Sequence, residues 1–251
     1  MLSFVGLGLF DERSMTIAGR ETVADADHVY LEWYTSTLQG CTVSDLETYH
    51  NVTIERLERA EIEQDPEPLL STAADNHVVL LVGGDPLIST THIDLRLRAA
   101  NRGIETAIVH APSAATAASG LSGLQNYRFG KATTIPFPGT ITETVPPSVI
   151  QTIQDNQDRG LHTIAYLDID GETDTYLDAA TAAEALASEL PETLAVAIAR
   201  AGSSDPRIEA APLEELASRD FGPPLHLLII PGDLHELERE ALETFAGLAP
   251  T

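Results

Sequence analysis

An α/β fold is predicted from three observations on this chain of 251 residues. Short apolar runs recur along it, and segments of helical periodicity alternate with them. Glycine, proline and aspartate cluster where those runs end, as turns between strands and helices require. The hydrophobic share of 43% is that of a globular core, which rules out a disordered reading despite the high charge. The length allows one large domain or two modest ones.

The elements follow in order. Residues 2–5 (Leu2-Ser3-Phe4-Val5) read as a first strand, ended by Gly6-Leu7-Gly8. Residues 16–24 read as a helix and 28–31 as a second strand, and 43–49 and 66–76 look helical. His77-Val78-Val79-Leu80-Leu81-Val82 reads as a buried strand. After it, residues 90–102 form the clearest helix, carrying Ile93, Leu95, Leu97 and Ala100 and stopping at Gly103. Residues 105–109 are a further strand. Residues 113–123 are rich in Ala, Ser and Gly. They suit either a helix that lets a neighbour approach closely or a hinge or backbone-lined pocket wall. Beyond them come strands at 132–135, 163–167, 194–199 and 225–230, and helices at 148–159, 178–188 and 237–245. A Pro/Gly/Thr-rich loop spans 136–147. The change of character near residues 110–115 marks a domain junction, giving domains 1–111 and 112–251.

Val82-Gly83-Gly84-Asp85-Pro86-Leu87 carries the strongest local signal for a ligand loop. Glycine lets backbone come close to a bound group, and proline stiffens the exit. Asp85 offers a carboxylate at a strand's C-terminal end, where open α/β sheets place ligands. An ordinary turn would use the same residue types.

Composition narrows the alternatives. Lys and Arg number 14 against 39 Asp and Glu, for a net charge of −25, and Lys131 is the sole lysine. Such an acid excess resembles a halophile's solvated surface. No basic stripe exists to neutralise phosphates, which argues against nucleic acid. The single cysteine, Cys41, excludes an intramolecular disulfide and a cysteine-based zinc site. Residues 1–14 lack a basic n-region and no apolar run reaches 18 residues, so a soluble cytoplasmic protein away from membranes is expected. Gly6-Leu7-Gly8-Leu9 fails as a dinucleotide fingerprint because Asp11 stands where a third glycine belongs. No Gly-x-Ser-x-Gly elbow and no phosphate-binding Gly-Lys-Ser/Thr loop occur. The eight histidines show no metal-ligand spacing, and Asp168-Ile169-Asp170-Gly171 with Glu172 and Asp174 departs from calcium-loop spacing, so no metal is expected. His226, within Pro223-Pro224-Leu225-His226-Leu227-Leu228, reads on its own as a hydrogen-bonded strand histidine. Small residues and one carboxylate near successive strand ends are compatible with S-adenosylmethionine.

An ordered series of blocks carries a resemblance. It comprises Phe4-Val5-Gly6-Leu7-Gly8-Leu9-Phe10-Asp11-Glu12-Arg13, Tyr34-Thr35-Ser36, Gly84-Asp85-Pro86-Leu87-Ile88-Ser89-Thr90-Thr91-His92 and His110-Ala111-Pro112-Ser113. It continues through Tyr127-Arg128-Phe129-Gly130-Lys131, Gly160-Leu161-His162-Thr163, Leu167-Asp168-Ile169, Ala199-Arg200-Ala201-Gly202-Ser203, His226 and Ile230-Pro231-Gly232. Together these resemble the archaeal diphthine synthase family, methyltransferases of the tetrapyrrole-methylase fold, nearly end to end. Gly83 departs from an expected proline, which loosens the loop and leaves Asp85 in register, and residues 136–147 match poorly.

The resemblance implies two α/β domains with S-adenosyl-L-methionine in the cleft between them, and a homodimer. Carried over position by position, it implies cofactor contacts at Leu9, Asp85, Ile88, Ser113, Ala114, Leu167, Ala201 and His226. It further implies methylation, up to three times, of the amino group of 3-amino-3-carboxypropyl-histidine on translation elongation factor two. No catalytic acid or base is assigned. An α-amino group with a pKa near 8 is roughly a tenth neutral at pH 7, so a base adds about one order of magnitude. Alignment can supply effective molarities of about 10⁵ M. The alternatives are a small-molecule methyltransferase of the same fold, acting on a corrin-type precursor, and a non-enzymatic partner of the translation factor.

Overall fold

The structure is a computed structural model and describes every residue except 36, 141–144, 172 and 251. Ser36 of the Tyr34-Thr35-Ser36 block, part of the 136–147 loop and Glu172 of the acidic loop therefore lie outside the described residues. The chain forms two compact units, Met1–Ala114 with Gly171–Thr173, and Ala115–Asp170 with Asp174–Thr251.

The first unit is built on strands β1 (Leu2–Gly6), β2 (His28–Glu32), β3 (Glu55–Leu57), β4 (Val78–Val82) and β5 (Thr106–Val109), with helices α1 (Ile17–Ala24), α2 (Val43–His50), α3 (Glu67–Asp75) and α4 (His92–Asn101) between them. Sheet order is β3-β2-β4-β1-β5, and every pairing is parallel. A parallel sheet needs cover on both faces, and the central strands show it. Leu2, Phe4, Leu80 and Val82 enter one hydrophobic cluster while Val5, Leu7, Val79 and Leu81 enter another. That alternation makes the Val78–Val82 run continuously apolar. Thr16 caps α1 through Gly19 N, and Thr42 with Asp45 forms a capping box on α2. Gly103, at φ +74°, lets Ile104 N reach back to Ala99 O at the end of α4.

Helix α5 (Ala114–Ser122) begins at the division between the units. The second unit continues with β6 (Thr133–Ile135), α6 (Pro147–Gln157), β7 (Thr163–Leu167) and the short pair β8 (Ile169–Asp170) and β9 (Thr175–Tyr176). Then come α7 (Ala179–Ala187), β10 (Leu194–Ala199), β11 (Arg207–Pro212), α8 (Leu213–Leu216), β12 (His226–Ile230) and α9 (Glu236–Phe245). Its main sheet runs β11-β10-β12-β7-β6 and is mixed: β10 and β12 pair antiparallel with their neighbours, and β6 pairs parallel with β7. One core cluster gathers Ile135, Ala165, Leu167, Ala197, Leu228 and Ile230 under α6 and α7.

The glycine that follows α5 has a packing use, while Gly120 within the helix faces open space. A Cβ on Gly123 would stand 2.5 Å from Ala241 Cβ, so the end of α5 closes onto α9 only with glycine there. Gly130 is similarly required, because its Cβ would collide with the side chain of Asn156. Asn156 Nδ2 donates to Lys131 O and to Thr163 Oγ1, each at 2.8 Å. Among the described residues no helix is long and apolar enough to cross a membrane.

Candidate functional site

Three adjacent strand ends build the site in the first unit. β4, β1 and β5 lie side by side, and the segments leaving their C-terminal ends carry Asp85 with Ile88, Leu9, and Ser113 with Ala114. The turns after β1 and β4 are stitched together, Gly8 N donating to Gly84 O at 3.1 Å and Gly84 N to Gly8 O at 2.8 Å. Both glycines adopt left-handed backbone, φ +75° and +70°. A Cβ on Gly6 would stand 2.5 Å from Gly84 O and 2.7 Å from Ala111 Cβ, so these turns close only around bare backbone. Beside Gly84 the situation reverses. A Cβ there would meet nothing nearer than Ser113 Cα at 3.8 Å. A side chain there would make only ordinary contact with the buried Ser113.

Asp85 supplies the charge. It is 6% exposed; Oδ1 accepts from Leu87 N at 3.1 Å, and Oδ2 lies 2.7 Å from His110 Nδ1. The turn thus holds the carboxylate in one orientation while His110, with its side chain 71% exposed, covers the second oxygen from outside. Sequence reasoning quoted His110 within a block but gave it no role. It stands 25 residues from Asp85, and only the sheet order, which sets β5 next to β1, brings the two together. Leu9 is half-buried, and Ile88 is exposed beyond the acidic turn.

In the second unit the register gathers Leu167, Ala201 and His226. Leu167 closes β7 and His226 opens β12, whose next residue Leu227 pairs with Tyr166. His226 itself pairs with Ala199, two residues before Ala201. Arg200, at φ +54°, turns the chain there and donates its N–H to Leu225 O at 2.9 Å. The ring of His226 is fully engaged: Nδ1 accepts from Ala179 N at 3.1 Å, so Nε2 carries the hydrogen and donates to Pro223 O at 2.9 Å. Burial, which outweighs the Pro223 carbonyl and the Asp178 charge, pushes the imidazole below its ordinary value.

Glycine turns with bare backbone, one oriented carboxylate and small side chains suit a ligand with hydroxyls or an amine beside an apolar ring. Among the described residues no three His, Cys, Asp or Glu side chains are grouped to hold a metal ion.

Comparison with known proteins gives the following. Residues 1–217 match the family described as tetrapyrrole (corrin/porphyrin) methylases. The diphthine synthase of Haloarcula marismortui is 56% identical over 257 residues, covering 99% of each chain. That of Halobacterium salinarum is 55% identical over 256 residues, covering 98% of each. A crystal structure of diphthine synthase matches the fold with a TM-score of 0.91 at 36% identity, over 98% of this chain and 96% of the other.

Proposed function

The chain belongs to the tetrapyrrole methylase family and, within it, to the diphthine synthases, and from that membership we propose that it methylates translation elongation factor two. The acceptor is the amino group of a 3-amino-3-carboxypropyl-histidine on that factor, taken up to the trimethylammonium form. Family membership carries the coarser statement: the chain is an S-adenosylmethionine-dependent methyltransferase of diphthamide biosynthesis. The family and fold class read from the sequence are the ones found. A cytoplasmic homodimer is the assembly that the family resemblance supports.

The observation that supports a donor site in this chain is the oriented Asp85 carboxylate beside the bare, left-handed backbone of Gly84, where a side chain would meet no clash. S-adenosylmethionine supplies an electrophilic methyl group on a sulfonium. The chain's own residues bind and orient. In this reading Asp85 accepts hydrogen bonds from the donor, and Leu9, Ile88, Ser113 and Ala114 complete its contacts in the first unit. The family resemblance adds Leu167, Ala201 and His226 to the cofactor contacts. Both ring nitrogens of His226 are already bonded to main chain, so a polar contact from it falls to its own backbone or requires one of those bonds to be exchanged. The acceptor amine is neutral often enough at pH 7 that alignment outweighs any base, which accounts for a site with one carboxylate and no assigned acid–base pair.

Intact-mass analysis tests the reading. The elongation factor carrying the aminocarboxypropyl-histidine intermediate, incubated with this protein and S-adenosylmethionine in molar salt, should gain one to three methyl masses. Factor lacking the intermediate should gain none. Donor binding without any gain in mass would reject this acceptor.

A further inference from the structure

A buried histidine holds the turn that carries Asp85. His92, the first residue of α4, is 1% exposed and its Nδ1 lies 3.0 Å from Pro86 O. A carbonyl oxygen only accepts, so Nδ1 carries the hydrogen and donates. Thr90 Oγ1 donates to the same oxygen at 3.0 Å. The ring's other nitrogen, Nε2, has no hydrogen-bond partner and faces Glu32 Oε2 at 3.9 Å. Glu32, the last residue of β2, is fully buried; it accepts from Tyr34 N at 2.9 Å, from Thr35 N at 2.6 Å and from Thr35 Oγ1 at 2.5 Å. Glu63 and Asp94 line the same small cavity as His92.

Burying an imidazole and a carboxylate is costly, and apolar residues of similar size would fill the space more stably. The pair sits where β2 and β4 end side by side, below the turn 84–91. That turn contains two left-handed residues, Gly84 at φ +70° and Ser89 at φ +58°. A non-glycine residue in that region persists when its surroundings hold it there. Thr90, whose hydroxyl bonds Pro86 O, directly follows Ser89.

We propose that His92 is a positioning residue for methyl-donor binding: its Nδ1–H fixes the Pro86 carbonyl and with it the turn from Asp85 to Ile88. The inference rests on reading that turn as the donor site.

The test is calorimetric titration of S-adenosylhomocysteine in molar salt, with thermal melts of every variant. His92→Asn places an N–H where Nδ1 stands, and His92→Gln places one where Nε2 stands and leaves Pro86 O with Thr90 Oγ1 alone. His92→Asn should bind within about threefold of the unsubstituted protein, while His92→Gln should weaken binding about tenfold, the size of one net hydrogen bond. Thr90→Val should weaken it roughly three- to tenfold. Turnover at saturating donor should change little in all three. Equal losses in His92→Asn and His92→Gln would show a packing role and overturn the proposal. So would unchanged affinity in Thr90→Val, which decides the matter if His92→Gln does not fold. Absence of binding by the unsubstituted protein would instead remove the donor-site reading itself, and the proposal with it.

Discussion

Glu238 Oε1 lies 3.0 Å from His162 Nε2, 76 residues apart in sequence, with neither side chain exposed. The same carboxylate accepts from Arg128 NH1 at 2.7 Å, Gln125 N at 2.9 Å and His235 N at 2.8 Å. His162 Nδ1 in turn accepts from Gly232 N at 3.1 Å. One buried carboxylate thereby joins the start of α9, the strand entry at β7 and the turn before Phe129. Arg128, His162 and Gly232 all belong to blocks that carried the family resemblance, and in this structure they brace the second unit's scaffold.

Replacing that carboxylate should be severe. Glu238→Gln leaves Arg128 without its counter-charge and gives His162 Nε2–H a weaker acceptor. Breaking a buried pair typically costs 3–5 kcal/mol, and Arg128 is partly exposed, so about 3 kcal/mol is expected here. Thermal melting should fall by roughly 6–12 °C, with donor affinity retained. A variant that melts with the unsubstituted protein would show that Glu238 is not the brace.

Acid should destabilise the fold from near neutrality downward. Burial, outweighing the adjacent Glu238 carboxylate, pushes His162 below the ordinary imidazole value of 6.5, and burial likewise depresses His226 and His50. A histidine with a depressed folded pKa binds fewer protons folded than unfolded, so stability rises with pH across that window. Its contribution is full above about 6.5 and is lost as pH falls below it. Burial alone would raise Glu238, yet hydrogen bonds from Gln125, His235 and His162 hold it below the ordinary carboxylate value, so its own contribution is lost at still lower pH. Melting curves at pH 8, 7, 6 and 5 in constant molar salt should decline from about pH 6.5. A flat profile from 7 to 5 would contradict the buried-histidine account.

Salt should be a requirement. The net charge of −25 is set by 39 acidic residues against 14 basic ones, and self-repulsion acts on the compact state wherever it is unscreened. Near 1 M salt the screening length is about 3 Å, against about 10 Å at 0.1 M. Unfolding and loss of methyl transfer are expected below about 0.5–1 M salt. Full activity in dilute buffer would refute this.

The parts of the fold legible in sequence are those whose state is decided locally. Val78–Val82 and Leu194–Ala199 are apolar throughout because sheet neighbours and both faces cover them, and Gly103 stops α4 by its backbone alone. β3, Glu55-Arg56-Leu57, is an edge strand whose first two residues are exposed, and β11 is an edge strand carrying Arg207 and Glu209. Neither pattern announces a strand; pairing with β2 and with β10 makes them so. The same division runs through the site. Gly-Asp-Pro after an apolar run marks Asp85 by itself, whereas its contact with His110, and that of His92 with Glu32, depend on which strands become neighbours.

Asp85 and His110 should separate sharply when each is removed. The Asp85 carboxylate is buried and anchored by Leu87 N, so a donor hydrogen-bonded to it would lose a charged acceptor. Hydrogen bonds to a charged group are worth about 1.5–3 kcal/mol, so Asp85→Ala should weaken S-adenosylhomocysteine binding by roughly 10- to 150-fold. His110 holds the outer oxygen from a largely solvent-exposed position, and contacts of that kind contribute little. His110→Ala should therefore cost less than about fivefold, and added salt should change its effect little. Equal losses in the two variants would mean that His110 itself touches the donor and that Asp85 acts by orienting the imidazole. Calorimetry on both proteins, with Asp85→Asn as the isosteric control, decides which of the pair meets the ligand.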